Sequence, residues 1–467
     1  MRRRLPLLAI LLALAAPLAQ ATEIAVEEVT KPGLRVLKAA LPGEIRASLA
    51  EASSWLLLVH RPDAPTTQLV RFEPARAGLE VLREDLPEES DSLALKDLDG
   101  DGELELLLGS TGGIVSLGPW RRPDRQPESW LASPGLSLRN LRARDLLGSP
   151  GDDLSLALPS SGRLEFRSAA GRRVVPLPTK VRRTPSGLTI TSPPVHRLDG
   201  YGWVAGPETH GTTRLRSRLI SQTGGEPVDA WSRFPTATAI ETASYDLLDG
   251  QPMLLVTSYR GDKFGIFDQQ KVSVFTLGED RTRAGQGPRF EIETKSHRWQ
   301  PCEARLIDLD GDERRDLMLF HLKGLDGDEL LVDGHPGRGG GRFAPRRQRS
   351  SFDITALAWS YERDYTADGE LDLVVLGSDR VDLYAGVRPG PKGKRLFERE
   401  ATWSYPLGEA LEEIEASVTV GSDGADGEIS AAGTLALSAE TGSGPPGLLI
   451  GLEGSSRLIY LEPEGSR

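Results

Sequence analysis

The feature that most restricts how this chain can fold is a short apolar run that returns at intervals of roughly fifty residues. Copies open at Trp55, Leu104, Leu154, Trp203, Leu254, Leu317, Leu371 and Leu448. A second apolar stretch commonly follows: Trp55-Leu56-Leu57-Leu58-Val59 precedes Gln68 to Phe72, and Leu371 to Gly377 precedes Val381-Asp382-Leu383-Tyr384. Runs this short, bounded by turn residues, are strands rather than helices. Strand and turn repeated at this period predict an all-β chain, a β-propeller whose blades are four-stranded sheets. Eight copies predict eight blades, or seven if the first copy helps to complete the last blade. The Gly/Arg-rich stretch from Gly337 to Arg349 and the Gly/Ser-rich stretch from Gly421 to Gly447, the latter in the widest interval, read as long loops between strands. Glu409 to Ile414 is at most one turn of helix. No linker marks a boundary, so residues 22–467 read as one domain.

Three of these runs are preceded by an acidic nonapeptide. The first is Asp97-Leu98-Asp99-Gly100-Asp101-Gly102-Glu103-Leu104-Glu105, the second is Asp308-Leu309-Asp310-Gly311-Asp312-Glu313-Arg314-Arg315-Asp316, and the third is Asp364-Tyr365-Thr366-Ala367-Asp368-Gly369-Glu370-Leu371-Asp372. Oxygen-bearing side chains stand at positions 1, 3, 5 and 9 of each. A short glycine-permitted turn lets them converge on one hard cation, and Ca²⁺ takes six to eight oxygens at about 2.3–2.6 Å. The carbonyl at position 7 (Glu103, Arg314 and Glu370) supplies a further oxygen. Carboxylates held this close repel one another unless something neutralises them. An EF-hand is the competing motif, but it needs a bidentate Glu at position 12. Position 12 here is Leu108, Leu319 or Val375, each a strand residue. Without a metal, the same stretches would be solvated Asp-Gly turns, and the threonine at position 3 makes the third loop the weakest candidate.

These nonapeptides, each running into an apolar strand, resemble the calcium loops of FG-GAP/VCBS repeats, which build the propeller of integrin α-subunits and of many secreted bacterial proteins. The resemblance covers Trp55 to Leu461. It implies an ion in a hairpin loop at the blade edge, with Asp97, Asp99, Asp101 and Glu105 as side-chain ligands of one site. It implies Asp308, Asp310, Asp312 and Asp316 for a second site, and Asp364, Thr366, Asp368 and Asp372 for a third. Glu105 replaces the usual Asp at position 9. The corresponding stretches at Asp145–Asp153 and from Asp246 lack oxygens at positions 3 and 5, or one of them, and Arg197 and Ala439 occupy position 1 of two others. Those copies are expected to keep the turn and lose the ion.

Met1 to Ala21 has the form of an export signal: Arg2-Arg3-Arg4, an apolar run from Leu5 to Leu18, and Ala19-Gln20-Ala21 at the cleavage site. The run is too short to span a bilayer, which needs about 20 residues, so the mature chain is expected to be periplasmic or extracellular with no transmembrane segment. Cys302 is the one cysteine, which rules out an internal disulfide, and it reads as a small buried side chain. The formal net charge of −12 argues against general nucleic-acid affinity.

No catalytic motif is present. The six histidines form no His-x-x-x-His pair, and there is no Gly-x-Ser-x-Gly elbow, phosphate loop or Cys-x-x-Cys pair. Glu208 with His210 suits a solvated loop better than a site. Arg260-Gly261-Asp262 suits a hairpin turn better than adhesion. The basic stretch of Arg342, Arg346, Arg347 and Arg349 suits a solvated or partner-facing loop. The reading is a non-enzymatic, calcium-stabilised module that binds a protein or a carbohydrate. The alternative is a secreted polysaccharide hydrolase or lyase with its site on the central propeller face.

Overall fold

Apolar residues at every position of a strand, rather than at every second one, mean that both faces of the strand are covered. The computed structural model shows what covers them. It describes residues 24–463 apart from short connecting segments and the stretch 408–446, and between residues 120 and 203 it describes strand backbone only. The described strands form eight antiparallel four-stranded sheets and one two-stranded hairpin, Lys180–Thr184 with Gly187–Thr191. The one described helix is a single 3-10 turn, Pro74–Arg76.

Seven of the four-stranded sheets are local meanders, spanning residues 44–87, 92–132, 142–175, 195–233, 239–297, 303–353 and 356–406. The eighth joins the chain ends. Its strands run in the spatial order Val26–Lys31, Leu34–Ala40, Arg457–Pro463 and Leu448–Gly451. Leu34 stands opposite Pro463, and Ala40 opposite Arg457.

Side chains alternate between the faces of each apolar run, and each set meets a different neighbouring sheet. Trp55, Leu57 and Val59 pack on the end-joining sheet, whereas Leu56 and Leu58 pack on the 92–132 sheet. Leu317 and Leu319 face the 239–297 sheet, and Met318 and Phe320 face the 356–406 sheet. Leu373 and Val375 turn back to the 303–353 sheet, while Val374 and Leu376 meet the end-joining sheet. Packing of this kind is continuous from the 195–233 sheet through 239–297, 303–353, 356–406, the end-joining sheet and 44–87 to 92–132. Four-stranded sheets stacked face to face in chain order, with the two ends sharing a sheet, make a β-propeller-like fold.

Two expectations are corrected. The run at Trp55 does not complete a terminal sheet. It is the second strand of its own sheet, and the strands that join the C-terminal ones lie earlier, at Val26–Ala40, where no long apolar run marks them. The loop expected from Gly337 to Arg349 ends at Arg347, because the strand Gln348–Asp353 begins inside it. The signal segment, Glu409 to Ile414 and the Gly/Ser-rich stretch up to residue 446 lie outside the described residues. Among the described residues no helix is long and apolar enough to cross a membrane.

Candidate functional site

The acidic nonapeptides connect the first and second strands of the 92–132, 303–353 and 356–406 sheets. A connection this short must turn sharply, and its own carboxylates satisfy the backbone groups that the turn exposes. The carboxylate at position 1 holds the N–H at position 6: Asp97 accepts from Gly102 at 3.1 Å, Asp308 from Glu313 at 2.9 Å and Asp364 from Gly369 at 2.7 Å. The carboxylate at position 5 holds the N–H at position 7: Asp101 accepts from Glu103 at 2.7 Å, Asp312 from Arg314 at 2.9 Å and Asp368 from Glu370 at 2.9 Å. Position 6 is left-handed in all three, with φ of +87° at Gly102, +66° at Glu313 and +89° at Gly369. Glycine adopts that conformation without strain, and glutamate does not.

Position 9 lies at the buried base of the turn. Asp372 is fully buried and accepts N–H groups from Tyr365 at 2.7 Å, Thr366 at 2.8 Å and Gly386 at 2.9 Å. Burial pushes its carboxyl above the ordinary range, and the three N–H groups oppose that rise. Asp316, 3% exposed, accepts from Leu309 at 3.0 Å and from Gly337 at 2.5 Å. Each of these carboxylates therefore fastens its own loop to the connection that follows the third strand of the same sheet. The glycines at the far end have no substitute: a Cβ on Gly337 would sit 2.3 Å from the Arg315 carbonyl oxygen, and one on Gly386 would sit 2.4 Å from that of Leu371. Gly386 was not singled out from sequence, and Gly337 only as the start of a Gly/Arg-rich stretch. Their only signal is a glycine shortly after the third strand of a repeat.

The third loop gathers its oxygens most closely. Asp364, Asp368 and Asp372 each offer a carboxylate oxygen, and these atoms lie within 4.8 Å of one another. Among the described residues no other set of three acidic, histidine or cysteine side chains does so. The Thr366 hydroxyl lies among them, donating to Asp372 Oδ1 at 3.3 Å and standing 3.5 Å from Asp364 Oδ1. Hard oxygens at this spacing are the donor set that a divalent cation such as Ca²⁺ takes. In the second loop the Arg314 guanidinium binds Asp312 through Nε at 2.7 Å and through a second nitrogen. The residue at position 7, expected to contribute its backbone carbonyl, thus also occupies an oxygen of position 5 with its side chain. Asp99 and Asp310, the position 3 ligands of the first two loops, lie outside the described residues. Glu105 is 9% exposed, at the start of its strand, and the pairing register shifts between it and Leu107.

Five of the remaining candidates belong to strands or to the core. Glu208 is a strand residue paired with Arg216 at 2.6 Å, and His210 lies outside the described residues. Arg260 ends the strand Gln251–Arg260, with Gly261 and Asp262 outside the description. Asp246 belongs to the strand Ala239–Leu248, and Leu248 pairs with Gln251. Cys302 is fully buried. Arg349, expected in a basic loop, is a strand residue whose guanidinium grips Asp333 by two 2.6 Å bonds. Burial would raise the Asp333 carboxyl, but Arg349 and His321, whose Nε2 is 3.3 Å away, hold it well below the ordinary range. Asp333 and His321 are 1% and 2% exposed, so the pair is closed to any substrate.

No protein-family profile matches the chain, and no curated protein matches it in sequence. Among solved structures it is similar to a protein from Lactobacillus plantarum at 12% identity and a TM-score of 0.32, over 76% of this chain and 96% of that one. It is similar to an Agrocybe aegerita lectin, described as recognising non-reducing terminal N-acetylglucosamine, at 12% identity and a TM-score of 0.32, over 83% and 94%. It is also similar to Drosophila Plexin A, solved with Semaphorin 1b, at 8% identity and a TM-score of 0.33, over 72% and 86%.

Proposed function

We propose that this chain is an exported, calcium-stabilised β-propeller of eight blades, of the FG-GAP/VCBS repeat type, that acts as a binding or scaffold module for a protein or carbohydrate. The observation that carries the metal part is the convergence of Asp364, Asp368 and Asp372. The common turn of the three acidic loops supports extending it to Asp97, Asp101 and Glu105, and to Asp308, Asp312 and Asp316. Eight four-stranded sheets, one built from both chain ends, support the blade count. In each loop the ion cancels carboxylate repulsion and pins a turn that is already formed by its own hydrogen bonds. Its role is structural, since one loop supplies most of the coordination. The partner then meets the connections between strands, which a propeller presents from every blade.

The test is thermal unfolding of the purified chain in EDTA and in millimolar Ca²⁺, with calorimetric titration of calcium. A site of extracellular type, with a Kd of roughly 10⁻⁴–10⁻³ M, adds about 1 kcal/mol or more at millimolar calcium. The expected result is an upward shift in Tm and binding heat, both reduced by Asp368→Ala. An unchanged melt with no heat would reduce the acidic loops to turns.

A further inference from the structure

The connections fastened by the two buried position 9 carboxylates share more than a glycine. Both close on a bridge to phenylalanine, Gly337 with Phe343 and Gly386 with Phe397. Both are basic in sequence: residues 336–349 and 386–399 each hold five lysines and arginines, with Glu398 the one acidic residue between them. This runs against the net charge of −12 for the whole chain.

The two connections also touch. Leu396 and Phe397, which end the basic part of the second, donate their N–H groups to Ser350 Oγ at 3.0 Å each. A Cβ on Gly334 would lie 2.9 Å from the Leu396 side chain, so the second connection rests on the base of the first. At the far side, the tip of the first reaches the 239–297 sheet: a Cβ on Gly341 would meet the Arg289 side chain at 3.5 Å. Arg289, Arg338, Arg342, Arg346, Arg388 and Arg395 thus form one basic ridge across three consecutive sheets.

Arg347 and Arg349 pair with Asp333, and the arginines that form the ridge are exposed and largely uncommitted. Arg289, Arg338, Arg342, Arg346 and Arg395 make no ion pair with any described residue, and Arg388, 81% exposed, lies 3.4 Å from Glu370. Arg338 and Arg342 face each other across a narrow turn, the Arg338 N–H donating to the Arg342 carbonyl at 2.8 Å. Like charges set opposite one another destabilise a paired backbone until an anion lies between them. The turn is completed by Gly339, Gly340 and Gly341, all left-handed, with open space around the first two.

We infer that this ridge binds an acidic polysaccharide, through guanidinium contacts to carboxylate or sulfate groups spaced along the polymer. The inference rests on the reading of the chain as a binding module and names its partner class. Guanidinium forks match both kinds of oxyanion. A protein partner would need apolar anchors at the centre of its interface. The apolar residues of the ridge, Phe343, Leu396 and Phe397, are at most 4% exposed and offer none. Single-stranded nucleic acid would need aromatic rings for stacking, and those same phenylalanines are buried beneath the backbone.

The test is calorimetric titration of the full chain with heparin and with hyaluronan, with neutral dextran as control, in 1 mM Ca²⁺. Heparin, hyaluronan or both are expected to bind, dextran is not, and affinity should fall about tenfold or more between 50 and 200 mM salt. Arg338→Ser with Arg342→Ser should weaken binding about fivefold or more, and Arg388→Ser, on the neighbouring sheet, by a smaller factor in the same direction. An unchanged Tm for each variant confirms that folding is intact. Absence of binding to both acidic polymers overturns the ridge, and the calcium-dependent melt then judges the metal reading by itself. Binding unaltered by either variant overturns it as well. So does equal or tighter binding to phosphatidylglycerol vesicles or to single-stranded DNA.

Discussion

The loops Asp308–Asp316 and Asp364–Asp372 sit in neighbouring sheets, share one turn, and handle the same electrostatic problem differently. Both place a buried aspartate at position 9 on a glycine N–H of a later connection. In the second loop, Arg314 lies against Asp312 and supplies positive charge from within the chain. In the third, position 7 is Glu370, which turns to Arg388 instead, and three carboxylates face one another with a hydroxyl among them. An internal cation relieves the repulsion at every calcium concentration. An external one relieves it only when bound. On the proposed calcium reading, the second loop should therefore tolerate calcium loss better than the third.

The largest effect is expected where the two loops are alike. Gly337→Ala and Gly386→Ala each drive a Cβ into a backbone carbonyl, and each should cost about 2–4 kcal/mol in denaturant unfolding. A clear inequality between them would show that the shared fastening is not equally important. Next come Asp316→Ala and Asp372→Ala, measured in EDTA so that any metal contribution is removed. Stranding buried N–H groups costs about 1–3 kcal/mol, and both variants should lose this much, since Leu309 and Gly337 donate to Asp316 and Tyr365, Thr366 and Gly386 donate to Asp372.

Smaller changes separate the loops. Glu313→Gly removes a left-handed non-glycine residue that the third loop avoids with Gly369, and should stabilise the chain by about 1 kcal/mol in urea unfolding. Arg314→Ala should change stability by less than about 1 kcal/mol in calcium, since the exposed pair contributes little. In EDTA it should make the second loop behave like the third, seen as a larger Tm difference between EDTA and calcium. No change in that difference would mean that Arg314 does not substitute for an ion.

The strands were legible because a sheet covered on both faces prints its burial as an unbroken apolar run, as at Leu317 to Phe320 and Leu373 to Leu376. Val26–Lys31 escaped because it reads Val-Glu-Glu-Val-Thr-Lys and is an outermost strand with Glu27 and Glu28 in solvent. The acidic turns were legible because the residues of one turn are close in sequence. What was not legible is what depends on distant chain. Gly337 and Gly386 matter through a carboxylate many residues earlier, and Arg349 looked like part of a basic loop until the structure set it against Asp333. Local spacing registered the threonine at position 3 of the third loop and not the arginine beside Asp312.

The sheet that joins the chain ends has a consequence for how the molecule is made. Arg35 bonds to Glu462, 427 residues later, and Leu34–Ala40 can find its partner only after Arg457–Pro463 exists. The other sheets can assemble in order as the chain emerges, each from contiguous sequence. The last step, by contrast, closes a loop nearly as long as the protein, at an entropic cost that grows only slowly with that length. Until then, Leu37 and Val36 lack the strand that covers them, and the half-made chain presents an open sheet edge. Truncation at the C-terminus is therefore felt at the N-terminus, and a nascent chain stays unlocked until its final strand is delivered.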